Sequence, residues 1–436
     1  MLNSRSALNT CSAWPVDRRP PARRPPSPRP PLEVRQVNAG GEIYWDPYDA
    51  ALAQDPYPTY RRLREEMPLY HNGKHDFYAL TRAADVARGL PDWRTFSSAR
   101  GDILEIVQSG LEIPSGTVIF EDPPTHDIHR RLLSRLFTPR RIAMLEPKVR
   151  DFCVRTLDPL TGLDGFDLVA AVGAELPMRV IGMLLGIPEA DQPAIRDMVD
   201  DSLRTEDGGR MDLDGGAVLN AEAFGEYIDW RREHPSDDLM TELLTAEFED
   251  EHGETRTLTR DEVLTYVSVV AGAGNETTGR LIGWAGAVLA RHPGARRELV
   301  ADPSLIPNAI EEILRYEPTG HSIARYVTRD VELHGQTVPA GSAIVFIVAS
   351  ANRDEDRYPD PDRFDIHRSM GHLLTFGLGG HYCLGAALAR LEGRIALEEI
   401  LKRFPTWEVD WDNAKLAQTS TVRGWETLPL IVGTSA

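Results

Sequence analysis

The sequence predicts a mainly α protein with small β-sheets, the α+β class. Three observations carry this expectation. A helical pattern runs from Thr259 to about Ala290 in the 436-residue chain. At ~1.5 Å per residue it spans roughly 45–50 Å, enough to cross a whole domain. Residues 140–250 carry further apolar periodicity of the helical kind. The β signals are short by comparison, at 77–80, 331–333, 336–338 and 343–348.

Composition narrows the function. Hydrophobic residues make up 42% and charged residues 26%, ordinary for a globular chain with a large core. The net charge of −19 argues against nucleic acid as the main partner and favours solubility. Cys11, Cys153 and Cys383 are scattered, which gives neither a disulfide framework nor a zinc cluster. A reducing, cytoplasmic compartment is expected. No apolar run reaches the length of a membrane span, so no membrane anchor is expected; the run at 343–349 reads as a buried strand.

Taken in order, the chain opens on a biased segment. Residues 1–36 hold seven arginines against Asp17 and Glu33, a net +5, with dense proline from Pro15 to Pro31. Such a stretch cannot pack, so residues 1–41 are expected to be a disordered or polyproline II extension. The folded domain is expected over 42–436, starting near Tyr44. A first helix is expected at 56–66, and a short helix around Trp93 and Phe96. Residues 98–120 lack periodicity and contain Gly101, Gly110, Pro114 and Gly116, which reads as an irregular binding loop.

Asp122 to Thr125 makes a helix start, and His126 and Arg130 then share one face at i, i+4. Helices are expected at 142–157, 168–185, 192–203 and 218–233. Thr259 and Glu262 form a capping box at the head of the long helix. The middle of that helix reads A-G-A-G-N-E-T-T over 271–278. Each mid-helix glycine costs about 1 kcal/mol against alanine. The glycines suit either close approach of something flat or a helix contact through small residues. A further helix at 307–316 carries Glu312 and Arg315.

The chemistry gathers at residues 376–385, F-G-L-G-G-H-Y-C-L-G, followed by a helical pattern through Leu388, Leu391, Ile395 and Ile400. Cys383 therefore sits where a glycine-rich loop becomes a helix N-terminus. The helix dipole and free N–H groups there favour a thiolate. A thiolate in that place can be a nucleophile, a metal ligand or an axial ligand of haem iron; a lone cysteine can also simply be buried.

Phe376, Gly379, His381, Cys383 and Gly385 fit F-x-x-G-x-[H/R]-x-C-x-G. In this the chain resembles the cytochrome P-450 haem-thiolate monooxygenases of the soluble bacterial type, over about residues 42–433. The resemblance implies the cytochrome P-450 fold, with haem b between the long helix and the cysteine-loop helix. Cys383 becomes the axial iron ligand, in a loop where Phe376, Gly377 and Gly385 also meet the cofactor. His126, Arg130, Arg325 and His381 would hold the propionates. Ala273, Gly274, Glu276 and Thr277 match the oxygen-binding groove, with Glu276 and Thr277 delivering protons. Glu312 and Arg315 match the structural E-x-x-R pair, which Arg363 would join. Residues 98–120 would lie over the haem, and a hairpin at 419–429 would reach the substrate cavity.

The implied activity is hydroxylation or epoxidation of a hydrophobic small molecule such as a steroid, terpenoid, fatty acid or macrolide. Ferredoxin and ferredoxin reductase would supply electrons from NAD(P)H to a monomeric enzyme. The donor would dock beside the cysteine loop, on Arg130, Arg131, Arg135, Arg390 and Arg394. A haem-thiolate peroxygenase is the alternative, although it would typically carry Arg–Pro in place of Glu276–Thr277. A thiol hydrolase built on Cys383 and His381 leaves Glu312 and Arg315 unexplained.

Overall fold

The long helix, Arg260–Arg291, starts on the expected capping box. Thr259 Oγ1 accepts from the Glu262 amide at 3.2 Å, and the Glu262 carboxylate accepts from the Thr259 amide at 2.7 Å. Two orphan N–H groups of the first turn are thereby satisfied. His292 caps the other end, and Pro293 starts the next helix, Pro293–Ala301. All residues from Leu281 to Leu289 are buried, so this half of the helix runs through the core with no polar face. The structure is a computed structural model describing residues 41, 43–203, 205, 209–211, 213, 221–419 and 422–433. Apart from residue 41, the expected 1–41 extension lies outside the described residues, as does Cys11.

Around this axis pack the helices Glu175–Leu185, Ile306–Tyr316 and Ala386–Arg403, the last also against Pro139–Leu157. Their apolar stripes merge into one core, with Leu281, Ile310, Ile313, Ile395 and Ile400 at its centre. A five-stranded sheet stands apart, in the order Leu69–Asn72, Phe77–Leu80, Ala343–Phe346, Ile323–Val327, Phe96–Ser97. Only the pairing of Phe77–Leu80 with Ala343–Phe346 is parallel. Smaller two- and three-stranded sheets, including Val331–Leu333 with Gln336–Val338, complete the α+β architecture.

Several elements differ from expectation. Trp93 lies in a turn and Phe96 in an edge strand, where its ring meets Phe346 edge-on at 5.3 Å; the helix is upstream, at Ala83–Gly89. Pairing with Ile323–Val327 decides the state of Phe96, a long-range effect local pattern does not carry. The 98–120 stretch holds a helix, Leu104–Ser109, closed by Gly110 at φ 70°, and a 3₁₀ turn at Val118–Phe120. Six residues are too few for periodicity to register. The expected helix at 168–185 is divided into a π turn, Val169–Gly173, and Glu175–Leu185. The helix expected at 218–233 is Gly225–Glu233 after a 3₁₀ turn at Ala221–Phe224, with 218–220 outside the described residues.

Candidate cofactor and active site

A cavity of about 300 Å³ opens between the long helix and the cysteine loop. Cys383, Phe376, His381 and Gly385 line one wall, and Ala273, Gly274 and Thr277 another. Arg130 and Arg325 line it as well, while Val118, Ile119, Ile181, Val269, Val270 and Ile323 make it largely apolar. Gly377, His126 and Glu276 are not among the lining residues.

The loop geometry follows from its glycines. Gly377 and Gly379 stand at φ 68° and 72°, which L-residues rarely adopt. They turn the chain so that the Cys383 amide donates to Phe376 O at 2.7 Å. A Cβ at Gly380 would come within 3.0 Å of His126, and one at Gly379 within 2.8 Å of Pro91. Close approach at these two glycines thus serves the seating of the loop on its neighbours. The helix Ala386–Arg403 has no side-chain cap at Gly385, so its first N–H groups face back toward Cys383. Burial pushes the Cys383 thiol up, while the N–H groups of Gly385 and Ala386 and the Arg130 and Arg390 charges pull it down. Cys383 itself is exposed to the cavity, where a coordinated metal ion would favour the thiolate.

Four basic groups cluster around His381: His381 itself, His126, Arg130 and Arg325. The His126 and His381 rings lie 4.3 Å apart, and each Nε2 is buried with no hydrogen-bond partner among the described residues. His126 Nδ1 is 3.1 Å from Asp127 Oδ1. His381 is pushed down to about 3 by burial and by Arg325, His126 and Arg130. Arg130 donates to Tyr382 O, which ties the helix Thr125–Ser134 to the cysteine loop. Arg325 is buried, donates to Ala324 O at 2.8 Å, and forms no ion pair within 4 Å among the described residues. Orphaned buried imidazoles beside two guanidiniums suit a ligand that brings its own negative charge. With an apolar interior and a thiol at the loop, the donor set fits haem b, a flat apolar macrocycle with two carboxylates and a thiolate-binding iron.

On the long helix, Thr277 Oγ1 donates to Ala273 O at 2.8 Å, and the helix stays α-helical through this stretch. Glu276 is buried and turned to another face. It pairs with Arg280 at 2.9 Å and lines a separate polar recess with Asn275, Gly279 and Gly173. The acid and the alcohol are thus sequence neighbours on different faces. A Cβ at Gly274 would meet Ile181 at 2.4 Å, while Gly279 lies against the Gly173 backbone.

Glu312 and Arg315 form a fully buried two-point pair at 2.6 and 2.7 Å. Arg315 also donates to Asn352 O at 2.9 Å and Pro361 O at 2.8 Å. The expectation for Arg363 is corrected. Its side chain is exposed and pairs with Asp365 at 3.5 Å; only its carbonyl accepts from Arg315. Arg368 supplies the guanidinium instead, 3.3 Å from Glu312. The pair clamps the segment before the cysteine loop onto the helix Ile306–Tyr316.

Two acids on the cavity wall escaped sequence reasoning. Glu392 is fully buried, and neither carboxyl oxygen has a partner among the described residues. It falls four residues after Leu388 and three before Ile395, on the apolar stripe, and that placement was the signal. Asp102 had no comparable signal. Of the basic residues expected beside the cysteine loop, Arg390 is paired to Glu311, and Arg394 to Glu146 and Glu398. Arg131 and Arg135, with Arg140 nearby, are exposed and form no ion pair among the described residues. Ser420 and Thr421, at the tip of the expected 419–429 hairpin, lie outside the described residues. No described helix is long and apolar enough to cross a membrane.

Comparison with known proteins gives consistent findings. A family model described as Cytochrome P450 matches residues 222–423. The chain is 36% identical over 372 residues to Cytochrome P450 130 of Mycobacterium tuberculosis, covering 81% of this chain and 89% of that one. It is 34% identical over 398 residues to the Vitamin D(3) 25-hydroxylase of Pseudonocardia autotrophica, covering 89% and 96%. Among solved structures, a mutant of P450 EryK in complex with erythromycin B is 34% identical with a TM-score of 0.78, covering 87% of this chain and 96% of that one.

Proposed function

Because the chain belongs to the cytochrome P450 family and is thereby a haem b-dependent monooxygenase, we propose that it hydroxylates or epoxidises a hydrophobic small molecule such as a steroid, terpenoid, fatty acid or macrolide. The electrons come from NAD(P)H through a ferredoxin reductase and a ferredoxin. The supporting observation is a single, largely apolar cavity onto which Cys383 and Thr277 both open.

Cys383 would hold the haem iron through its thiolate, in a loop shaped by Phe376, Gly377 and Gly385. His126, Arg130, Arg325 and His381 would hold the porphyrin carboxylates. Ala273 and Gly274 would leave room for O₂ on the long-helix wall of the cavity. When bound, haem supplies the binding and reductive activation of O₂. The Thr277 hydroxyl spends its proton on Ala273 O, so its lone pairs are available to accept from a water or another protic group in the cavity. Glu276 serves proton supply from the recess behind the helix, where Arg280 holds it. The adjacent acid and alcohol disfavour the peroxygenase alternative.

A reduced CO-difference spectrum tests this reading. The wild type gives the thiolate band. Cys383→His retains some haem and loses that band, and its persistence in the variant would sink the assignment. Replacement of Cys11 and Cys153 leaves it unchanged. A spectral-shift screen of steroids, terpenoids, fatty acids and macrolides then narrows the substrate.

A further inference from the structure

Asp102 lies in the 98–120 stretch, between Gly101 at φ 105° and the helix Leu104–Ser109. Its carbonyl accepts from the Ala324 amide at 2.7 Å, which fixes it beside the strand Ile323–Val327. It is half-buried and lines the largely apolar cavity together with Val118, Ile119 and Ile323. Among the described residues it has no ion pair within 4 Å and no hydrogen bond beyond its own amide. Burial raises the carboxyl, and the field of Arg325 only partly offsets this.

A carboxylate in an apolar wall is costly unless it is matched by a cation. Arg325 is the nearest cation, but the proposed function assigns its charge to the cofactor carboxylates. Once they are in place, Asp102 faces added negative charge and its need for a cation grows. A cationic group on the substrate would meet that need and hold Asp102 ionised. We propose that Asp102 selects a hydrophobic substrate carrying a protonated amine, which it anchors by a charge-assisted hydrogen bond at the cavity wall. The inference rests on the haem-thiolate reading above and deepens it by naming a substrate class.

The test uses the haem-loaded full chain and three matched probes: N,N-dimethyldecylamine, 1-decanol and decanoate. Equilibrium dialysis measures binding without presupposing contact with iron. The wild type is expected to bind the amine about tenfold more tightly than the alcohol, the size of one charge-assisted hydrogen bond, and decanoate least. Asp102→Asn should lose that preference with unchanged affinity for decanol, and Asp102→Glu should restore part of it. Equal binding of amine and alcohol by the wild type overturns the proposal without any variant. So does a preference for decanoate, or undiminished amine binding by Asp102→Asn. If Asp102→Asn instead loses haem, Asp102 positions Arg325 and the proposal fails. The reduced CO band separates the two readings: with the band present these results judge Asp102 alone, and its absence from the wild type overturns both.

Discussion

Glu392 is an ionisable side chain with nothing to ionise against. Burial alone pushes its carboxyl up to about 8. The group therefore holds its proton when folded and releases it when unfolded, from its ordinary 4.5 up to about 8. Its contribution is intact below the lower value and is lost as pH rises toward the upper one. Glu392→Gln keeps the shape and removes the titration, so the fall in melting temperature between about pH 5 and pH 8 should flatten. Identical slopes in wild type and variant would count against a neutral Glu392. Thr277 makes the complementary case: Thr277→Ala should leave haem and substrate binding nearly intact and divert NAD(P)H electrons to hydrogen peroxide. Wild-type coupling in that variant would remove Thr277 from proton delivery. The sequence made Thr277, Cys383 and the Glu312–Arg315 pair legible because their spacing is local. Arg368 and Asp102 were not legible, since chain folding far from either residue decides which of several polar residues turns inward.

At the scale of elements, the glycines of the long helix range from open, at Gly272, through side-chain contact, as at Gly274, to backbone contact at Gly279. A Cβ at Gly279 would fall 2.5 Å from Gly173 O, and one at Gly173 would fall 3.0 Å from Gly279 O. Here two backbones touch, and the π turn Val169–Gly173 is the geometry that brings them together. Gly272 has nothing within 4 Å of its missing Cβ. Gly279→Ala should therefore destabilise by roughly 1–3 kcal/mol through overpacking against unyielding backbone. Gly272→Ala should stabilise by up to about 1 kcal/mol through helix propensity. Denaturant melts of both variants check the opposite signs. The sequence left open whether these glycines met a flat ligand or another helix, because glycine is equally silent about both. The ends of the long helix were readable because caps are local chemistry. The π turn was not, because it answers to a partner more than 100 residues away.

At the scale of the molecule, a net charge of −19 repels an acidic electron donor at long range. Docking needs a local exception. Ion pairing withdraws Arg390 and Arg394 from that role, and Arg130 is committed to Tyr382 O. The exposed remainder is Arg131 and Arg135, on and just after the helix Thr125–Ser134, with Arg140 in the first turn of Pro139–Leu157. The first helix reaches the cysteine loop through Arg130 and Tyr382 O, and the second packs on the helix Ala386–Arg403 that follows the loop. Composition shows the overall sign of the charge, but which arginines stay unpaired depends on partners such as Glu146 and Glu311, brought in from other helices. Arg135→Glu should therefore slow reduction by an acidic ferredoxin while leaving the CO band in place. Arg390→Glu is a weaker probe, since it also breaks the pair with Glu311. The effect should shrink as the Debye length falls from about 30 Å at 0.01 M salt to about 10 Å at 0.1 M. Stopped-flow reduction across that range decides the matter, and rates for Arg135→Glu equal to wild type at the lowest salt would move the docking site elsewhere.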